Sequence, residues 1–447
     1  MKNFAKTLRE IARYPSAIIG LLIILALIVA SIVVIVKIPY NEAITRWRGG
    51  EEIWGKNPRN VPPTWINWFR KDKLVETLHL FEEDEDVLVE EIVTDGGTPV
   101  KTVSFEFNYE YDTFPQDLVL YFTSTYESKQ PFVSVKMITP NEDVIKIGNF
   151  AIGRTHTFPI NQDTKLRRSL GGVVPVIGLF IEKGDETQTP IKGVYKLQVE
   201  MITFEEGSSA QAEFVMTGQV FGWAGTDHMR RDLTLPLLWG TPIALAFGLV
   251  ASLGTTILTM FIAAIGTWHG GLVDGIIQRV TEINMVLPFL PILIMIGTFY
   301  SRSIWVILGA TIALSIFGGG IKAFRATFMQ IKESTYIEAA KAYGAKDSRL
   351  IFRYLIPRIV PWLLPSLVSS VPAYVFLEAS LALLGIGDPV LPTWGKTINE
   401  AYANAALYRG WYYWIIEPAA LLMITGLAFA MLGFALDRIF NPRLRGM

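Results

Sequence analysis

Cysteine is absent from the 447 residues, which excludes a disulfide framework, a zinc–thiolate site and a cysteine nucleophile. Histidine is scarce, and His79, His156, His228 and His269 are too dispersed along the chain to suggest a metal cluster. Charge is scarce as well, at 18% of residues against the roughly 25% of an average soluble protein. Neither sign dominates: 40 Lys and Arg face 41 Asp and Glu, so the basic footprint of a nucleic-acid binder is missing. What is abundant is apolar material, 51% of the chain.

That material is concentrated. Six stretches of at least 19 residues carry no charge: Ala17–Val36, Pro242–Trp268, Ile283–Ser301, Ser303–Ile321, Ile359–Leu377 and Pro418–Leu436. About 20 apolar residues in a helix span the hydrocarbon core of a bilayer, because a helix satisfies its own backbone where no water is available. The pattern predicts an α-helical membrane protein with six transmembrane helices. The first run is longer than the ~7–15 residue core of a secretory signal, and no small-x-small cleavage pattern follows it, so residues 17–38 read as a retained first span.

Lys and Arg accumulate in the cytoplasmic loops of such proteins. Lys2, Lys6, Arg9 and Arg13 precede the first span, with Glu10 the one acid. Eight basic residues against three acids occupy Lys322–Arg358, and Arg438, Arg443 and Arg445 end the chain. Six spans put all three regions on one side, with both termini cytoplasmic. The loop Glu378–Glu417, on the other side, has two basic and four acidic residues. Phe4, Leu8 and Ile11 recur at helical spacing, so residues 1–16 read either as an amphipathic segment on the inner leaflet or as a polar lead-in.

Between the first two spans the composition becomes that of a soluble domain, with 21 basic and 30 acidic residues over 37–241. Alternation at Val103, Phe105, Phe107, Tyr109 and Tyr111, at Val133, Val135 and Met137, and at Tyr195, Leu197, Val199 and Met201 predicts strands. Thr94-Asp95-Gly96-Gly97 reads as a turn. Residues 39–225 are thus expected to form a large inserted extracytoplasmic β-rich domain, sandwich or barrel. The acidic run Glu82–Asp86 lacks the interleaved Gly and Asn of a calcium loop and reads as a solvated edge. Trp47, Trp54, Trp65 and Trp68 are expected near the membrane interface, with a carbohydrate or peptide surface as the alternative. A helical membrane core is expected over 226–437, and 438–447 as a basic cytoplasmic tail.

The loop between the fourth and fifth spans carries the sharpest pattern. Glu338-Ala339-Ala340-Lys341-Ala342-Tyr343-Gly344 is followed, thirteen residues after the glycine, by Pro357. The alanines give a helix a thin face for close approach, Glu338 charges that face, and Gly344 permits a turn that a Cβ hinders. Thr335 stands three residues before Glu338, the spacing of a capping box. A second helix is expected from Ala345 to Ile356. This arrangement near 333–357 suits either docking into a cytoplasmic partner or a plain connector.

Glu338-Ala339-Ala340, Gly344 and Leu355-Ile356-Pro357 resemble the coupling-loop signature of the membrane permeases of ATP-binding-cassette importers. Gly225-Thr226-Asp227, Arg231-Asp232, Gly270-Gly271 with Asp274 and Arg279, Glu378-Ala379-Ser380-Leu381, Leu384-Gly385-Ile386-Gly387, Pro392-Thr393-Trp394-Gly395 and Asn441-Pro442-Arg443-Leu444-Arg445 extend the likeness. They are similar to the dipeptide/oligopeptide permease subfamily in its second type of membrane subunit. The resemblance covers residues 1–40 loosely and 221–447 well, and not the inserted domain. Departures are Arg230 where the subfamily often has Gly, Pro236 and Pro242 where it often has Arg, and Tyr354 where it often has His.

The resemblance implies a second homologous permease subunit, two ATPase subunits, an extracytoplasmic solute-binding protein and surrounding membrane lipid. Glu338, Ala339, Ala340, Gly344 and Pro357 are then the ATPase-coupling residues. It implies no cofactor on this chain, with ATP and magnesium held by the ATPases. Gly395-Lys396-Thr397 is not a phosphate loop, since Val390 stands where the earlier glycine is required. Glu378, after 19 uncharged residues containing Pro361, Pro365 and Pro372, is either a pathway carboxylate at the outer mouth or a structural one. The solute expected is a di- or oligopeptide, with oligosaccharides as the alternative. An ion-coupled secondary transporter is disfavoured by the lack of an inverted repeat, and a membrane sensor by the lack of a large cytoplasmic output domain.

Overall fold

The computed structural model describes residues 13–84, 87–93, 99–182 and 188–440. The chain divides into two compact units, one made of the residues up to Arg48 together with those from Leu235 onward, the other of Gly49–Thr234. These boundaries lie later in the chain than the expected 39–225. The shift arises because helix Tyr40–Arg48 buries Ala43 and Trp47 within the helical unit.

The helical unit begins with α1 (Pro15–Lys37) and α2 (Tyr40–Arg48). In α1, Ala17, Gly20, Ile24, Leu27, Ser31 and Val34 form one buried stripe at alternating spacings of three and four. The rest of its surface is apolar and exposed, as lipid contact requires.

The inserted unit is all-antiparallel. Its strands are β1 (Leu78–Phe81), β2 (Val87–Val93), β3 (Pro99–Tyr109), β4 (Asp117–Thr125), β5 (Phe132–Ile138), β6 (Val144–Ala151), β7 (Thr155–Pro159), β8 (Gly193–Ile202) and β9 (Ser209–Thr217). They form a four-stranded sheet of order β1-β9-β4-β7 and a five-stranded sheet of order β2-β3-β8-β5-β6. One apolar cluster draws on both sheets, so the choice left open between sandwich and barrel resolves to a sandwich. The three predicted alternations fall on neighbouring strands and come into register. Phe105 and Met137 both pair with Leu197, and Val103 and Val135 both pair with Val199, giving rows of buried side chains across β3, β8 and β5. Thr94–Gly97 lies outside the described residues; the strands flanking it, β2 and β3, are antiparallel partners. Glu82 accepts from Lys101 Nζ at 2.6 Å and from the Ala212 amide at 2.6 Å, so the acidic run is partly a structural tie.

The helical unit resumes with α3 (Thr234–His269), α4 (Gly271–Val286), α5 (Phe289–Phe299), α6 (Ile304–Ile316), α7 (Gly319–Lys332), α8 (Thr335–Ala342), α9 (Ile356–Leu381), α10 (Trp394–Ala403) and α11 (Tyr413–Phe440). Four helical stretches among the described residues are long and apolar enough to cross a membrane: α1, α3, Asp347–Ile386 and α11. The third and fourth uncharged runs are not straight helices. They fall on bent pairs, α4 with α5 at 80° and α6 with α7 at 45°, and counting each pair as one span brings the number up to six. Pro288, the N-cap of α5, explains the first break, because it has no amide to continue α4.

Small residues set the packing. A Cβ on Gly20 would lie 2.6 Å from the Ala428 carbonyl oxygen, and one on Gly240 would enter the Trp394 indole. Trp394 Nε1 donates to the Leu237 carbonyl at 2.9 Å. Close approach of this kind is how helices associate where lipid removes the hydrophobic drive. The prolines Pro361, Pro365 and Pro372 lie inside α9 without interrupting it. The irregularities flank it instead, as wide turns at Leu350–Leu355 and Ala382–Ile386, the latter with Gly385 at φ 84°.

Candidate coupling site

Helix α8 carries Glu338, Ala339 and Ala340 as expected, but its start differs from the predicted capping box. Ser334, not Thr335, is the N-cap, and its hydroxyl donates backward to the Ile331 carbonyl. The first turn of α8 is closed by the backbone alone, with the Ile337 and Glu338 amides on the Ser334 carbonyl. At the other end Gly344 adopts φ 77°, its amide donates to Lys341 O at 2.8 Å, and the Ala345 amide donates to Ala340 O at 3.1 Å. This is a Schellman cap, and it is the physical reason for a glycine here.

The helix has two faces. Ile337 is fully buried with Phe328, Leu350 and Leu355, and Ala340 and Ala345 pack against the same cluster. Glu338, Ala339, Ala342, Tyr343 and Gly344 are exposed, Tyr343 at 92%. Burial of one Ile side chain contributes about 2 kcal/mol, enough to seat a helix this short. The following helix starts at Asp347, not Ala345, and does not end at Ile356. It continues through the wide turn into α9, with Pro357 exposed in the first turn of that helix.

Around α8 the structure adds contacts that the sequence did not reveal. Arg325 on α7 forms a bidentate pair with Asp274 on α4, Nε lying 2.8 and 2.9 Å from the two oxygens. Lys332 Nζ donates to Thr267 O at 2.9 Å and Trp268 O at 2.8 Å, the last carbonyls of α3. Lys341 Nζ stands over the Trp268 ring at 4.9 Å. In the sequence these lysines registered only as loop charge.

The other predicted positions lie elsewhere. Glu378 is 6% exposed, beside Thr393 and Asp388. Asp388 caps α6 through the Ile304 amide at 2.9 Å and holds the Val390 and Leu391 amides. Gly395 and Thr397 are buried in the first turn of α10, where a Cβ on Gly395 would lie 2.6 Å from Ala379 Cα. Arg279 and Glu282 pair at 3.3 Å on the exposed face of α4, as their spacing predicted. Trp47 is 1% exposed, whereas Trp68 is 78% exposed. Residues 1–12 and the 441–447 tail, with the amphipathic pattern and the Asn441–Arg445 motif, lie outside the described residues. No group of three or more potential metal ligands occurs among the described residues.

Residues 255–446 match the family model described as binding-protein-dependent transport system inner membrane component. The chain is 29% identical over 226 residues to the dipeptide transport system permease protein of Bacillus subtilis, covering 50% of this chain and 69% of that one. It is equally similar to the oligopeptide transport system permease protein of the same organism, over 50% and 72%. The glutathione transport system permease protein of Pectobacterium atrosepticum is 28% identical over 233 residues, 50% and 73% of the two chains. With its apolar helices the protein is a multi-pass, non-catalytic component of the cell membrane. Residues 255–446 thus carry the inner membrane component of a binding-protein-dependent transport system, and the chain is similar to peptide permeases of that kind.

Proposed function

We propose that this chain forms half of a translocation pathway for di- or oligopeptides and that α8 couples it to separate cytoplasmic ATPase subunits. A second homologous permease completes the pathway, and an extracytoplasmic solute-binding protein delivers the peptide. The chain crosses the membrane six times with both termini inside. Residues from about 39 to 225, within which most of the sandwich falls, lie outside the cell. Peptide as solute rests on what the relatives' names say they transport.

The observation that carries the coupling role is the division of α8 between an anchored and a bare face. Ile337 fixes the helix to the bundle, while Glu338, Ala339 and Tyr343 project from it. A rigid, thin, partly charged helix end suits a cleft in another protein. Nucleotide then drives the pathway by binding one ATPase arrangement more tightly than the other, and α8 conveys that difference. Glu378, beneath the Asp388 cap, serves the outer end as a positioning carboxylate.

The test is reconstitution of the full transporter with Glu338→Lys or Gly344→Val. Loss of ATPase co-purification, or ATP hydrolysis without peptide uptake, is expected in both. Wild-type association and wild-type uptake in both variants would overturn the assignment.

A further inference from the structure

Helix α3 runs 36 residues and ends at His269, and its last carbonyls have no partner within the helix. Two of them, on Thr267 and Trp268, are taken by Lys332, the final residue of α7. A cation at a helix C-terminus is favourable on electrostatic grounds as well. Trp268 itself is nearly buried in the cluster that holds Ile337, Leu350 and Leu355. Its ring carries Lys341 of α8 at 4.9 Å on one count and Lys332 at 5.7 Å on the other, both within cation–π range. Lys332 stands just before α8 and Lys341 lies in its last turn, so the end of α3 is held both by the docking helix and by the residue that leads into it.

Farther along, α3 is locked to α9. Ser252 Oγ bonds to Leu367 O and to Ser370 Oγ, each at 2.7 Å, and a Cβ on Gly248 would collide with Val375 and Val371. Displacement of the foot of α3 therefore moves a helix pair, not a loop.

We infer that Trp268, gripped by Lys332 and Lys341, is the joint through which movement of α8 reaches the membrane helices. Trp268 is a positioning residue: it touches neither solute nor nucleotide. This rests on the coupling role proposed for α8, and the two fail differently. If α8 does not dock, Glu338→Lys leaves ATPase association and uptake untouched. If α8 docks but Trp268 is not the joint, Glu338→Lys is defective and Trp268→Leu is not.

The experiment uses the complete transporter in proteoliposomes and reads three quantities: ATPase co-purification, ATP turnover, and peptide taken up per ATP hydrolysed. For Trp268→Leu, association and turnover are expected to persist while uptake per ATP falls about threefold, the order of one cation–π contact to a solvent-exposed lysine. Trp268→Phe, which keeps an aromatic face, recovers most of it, and Lys341→Gln shows a smaller loss of the same kind. Unchanged uptake per ATP in Trp268→Leu would overturn the inference. Loss of ATPase association in that variant would overturn it too, by making Trp268 part of the docking fold.

Discussion

Arg230 occupies a left-handed backbone position, φ 65°, at the end of a tight turn. Its amide closes the turn on the Asp227 carbonyl at 3.0 Å, and Thr226 and Asp232 bridge across it. Such a position favours glycine, and a side chain there costs about 1–2 kcal/mol. The resembling subfamily often has Gly at this point. Here the guanidinium offsets the strain by donating to Asn57 O at 2.7 Å and Gly55 O at 3.1 Å. Arg230→Ala keeps the strain and loses both bonds, so it is expected to destabilise the sandwich unit by about 2 kcal/mol. Arg230→Gly loses the bonds but relieves the strain and should cost about 1 kcal/mol less. Equal thermal unfolding of the two variants would refute this account. Glu205 is the clearest pH-sensitive residue. The Ser128 hydroxyl and the amides of Glu127, Ser128 and Lys129 all donate to it, holding its carboxyl down to about 2. A carboxylate depressed in the folded state stabilises fully above its ordinary value of 4.5, and that stabilisation is lost as pH falls toward 2. A carboxyl NMR titration should place the midpoint well below that of free glutamate. In Glu205→Gln the acid-dependent loss of stability of the loop at 127–129 should shrink.

At the scale of elements, the Gly344 cap decides whether α8 is held in shape. A Cβ at Gly344 would meet nothing within 4 Å, so substitution acts through the backbone alone. Asn tolerates the left-handed region far better than Val. Gly344→Asn is thus expected to retain coupled transport where Gly344→Val loses it, measured as uptake per ATP in the same preparation. Equal loss in both would place the defect in the missing glycine surface instead of the turn. Elements with strong periodicity were legible before folding. The alternations at 103–109, 133–137 and 195–201 became three adjacent strands because each presents one apolar face to the same core. Helix α8 was legible because its small residues and its glycine have separate physical reasons. Bends were not, since a run without charge reads the same whether it forms one helix or two, as at Ile283–Ser301. The burial of Trp47 was not legible for a related reason. An aromatic near a span fits an interface by composition, and only packing shows it enclosed. Trp268 with Lys332 and Lys341 was invisible because the contact joins residues more than 60 positions apart.

For the whole molecule, orientation follows from charge, since Lys and Arg mark the inner side in short loops. The eight basic residues of Lys322–Arg358 include those around α8, so the proposed topology has α8 and the N-terminal basic segment on the same, cytoplasmic side. One span separates that segment from the inserted unit, so the proposed topology has the sandwich outside. The chain offers a clean measurement because it contains no cysteine, so a single introduced thiol reports alone. Gly96→Cys sits at the predicted turn between β2 and β3, and Tyr343→Cys replaces the most exposed residue at the tip of α8. A membrane-impermeant maleimide applied to intact cells should label Gly96→Cys and leave Tyr343→Cys untouched. Tyr343→Cys should become reactive once the membrane is opened, and co-expression of the cognate ATPases should then slow its labelling by covering it. Labelling of Tyr343→Cys in intact cells would invert the orientation and remove α8 from reach of any nucleotide-driven partner. Labelling of both sites in intact cells would require an odd number of spans fewer or more between the sandwich and α8, and would change the count for one of the bent pairs, α4–α5 or α6–α7, from one crossing to none or two.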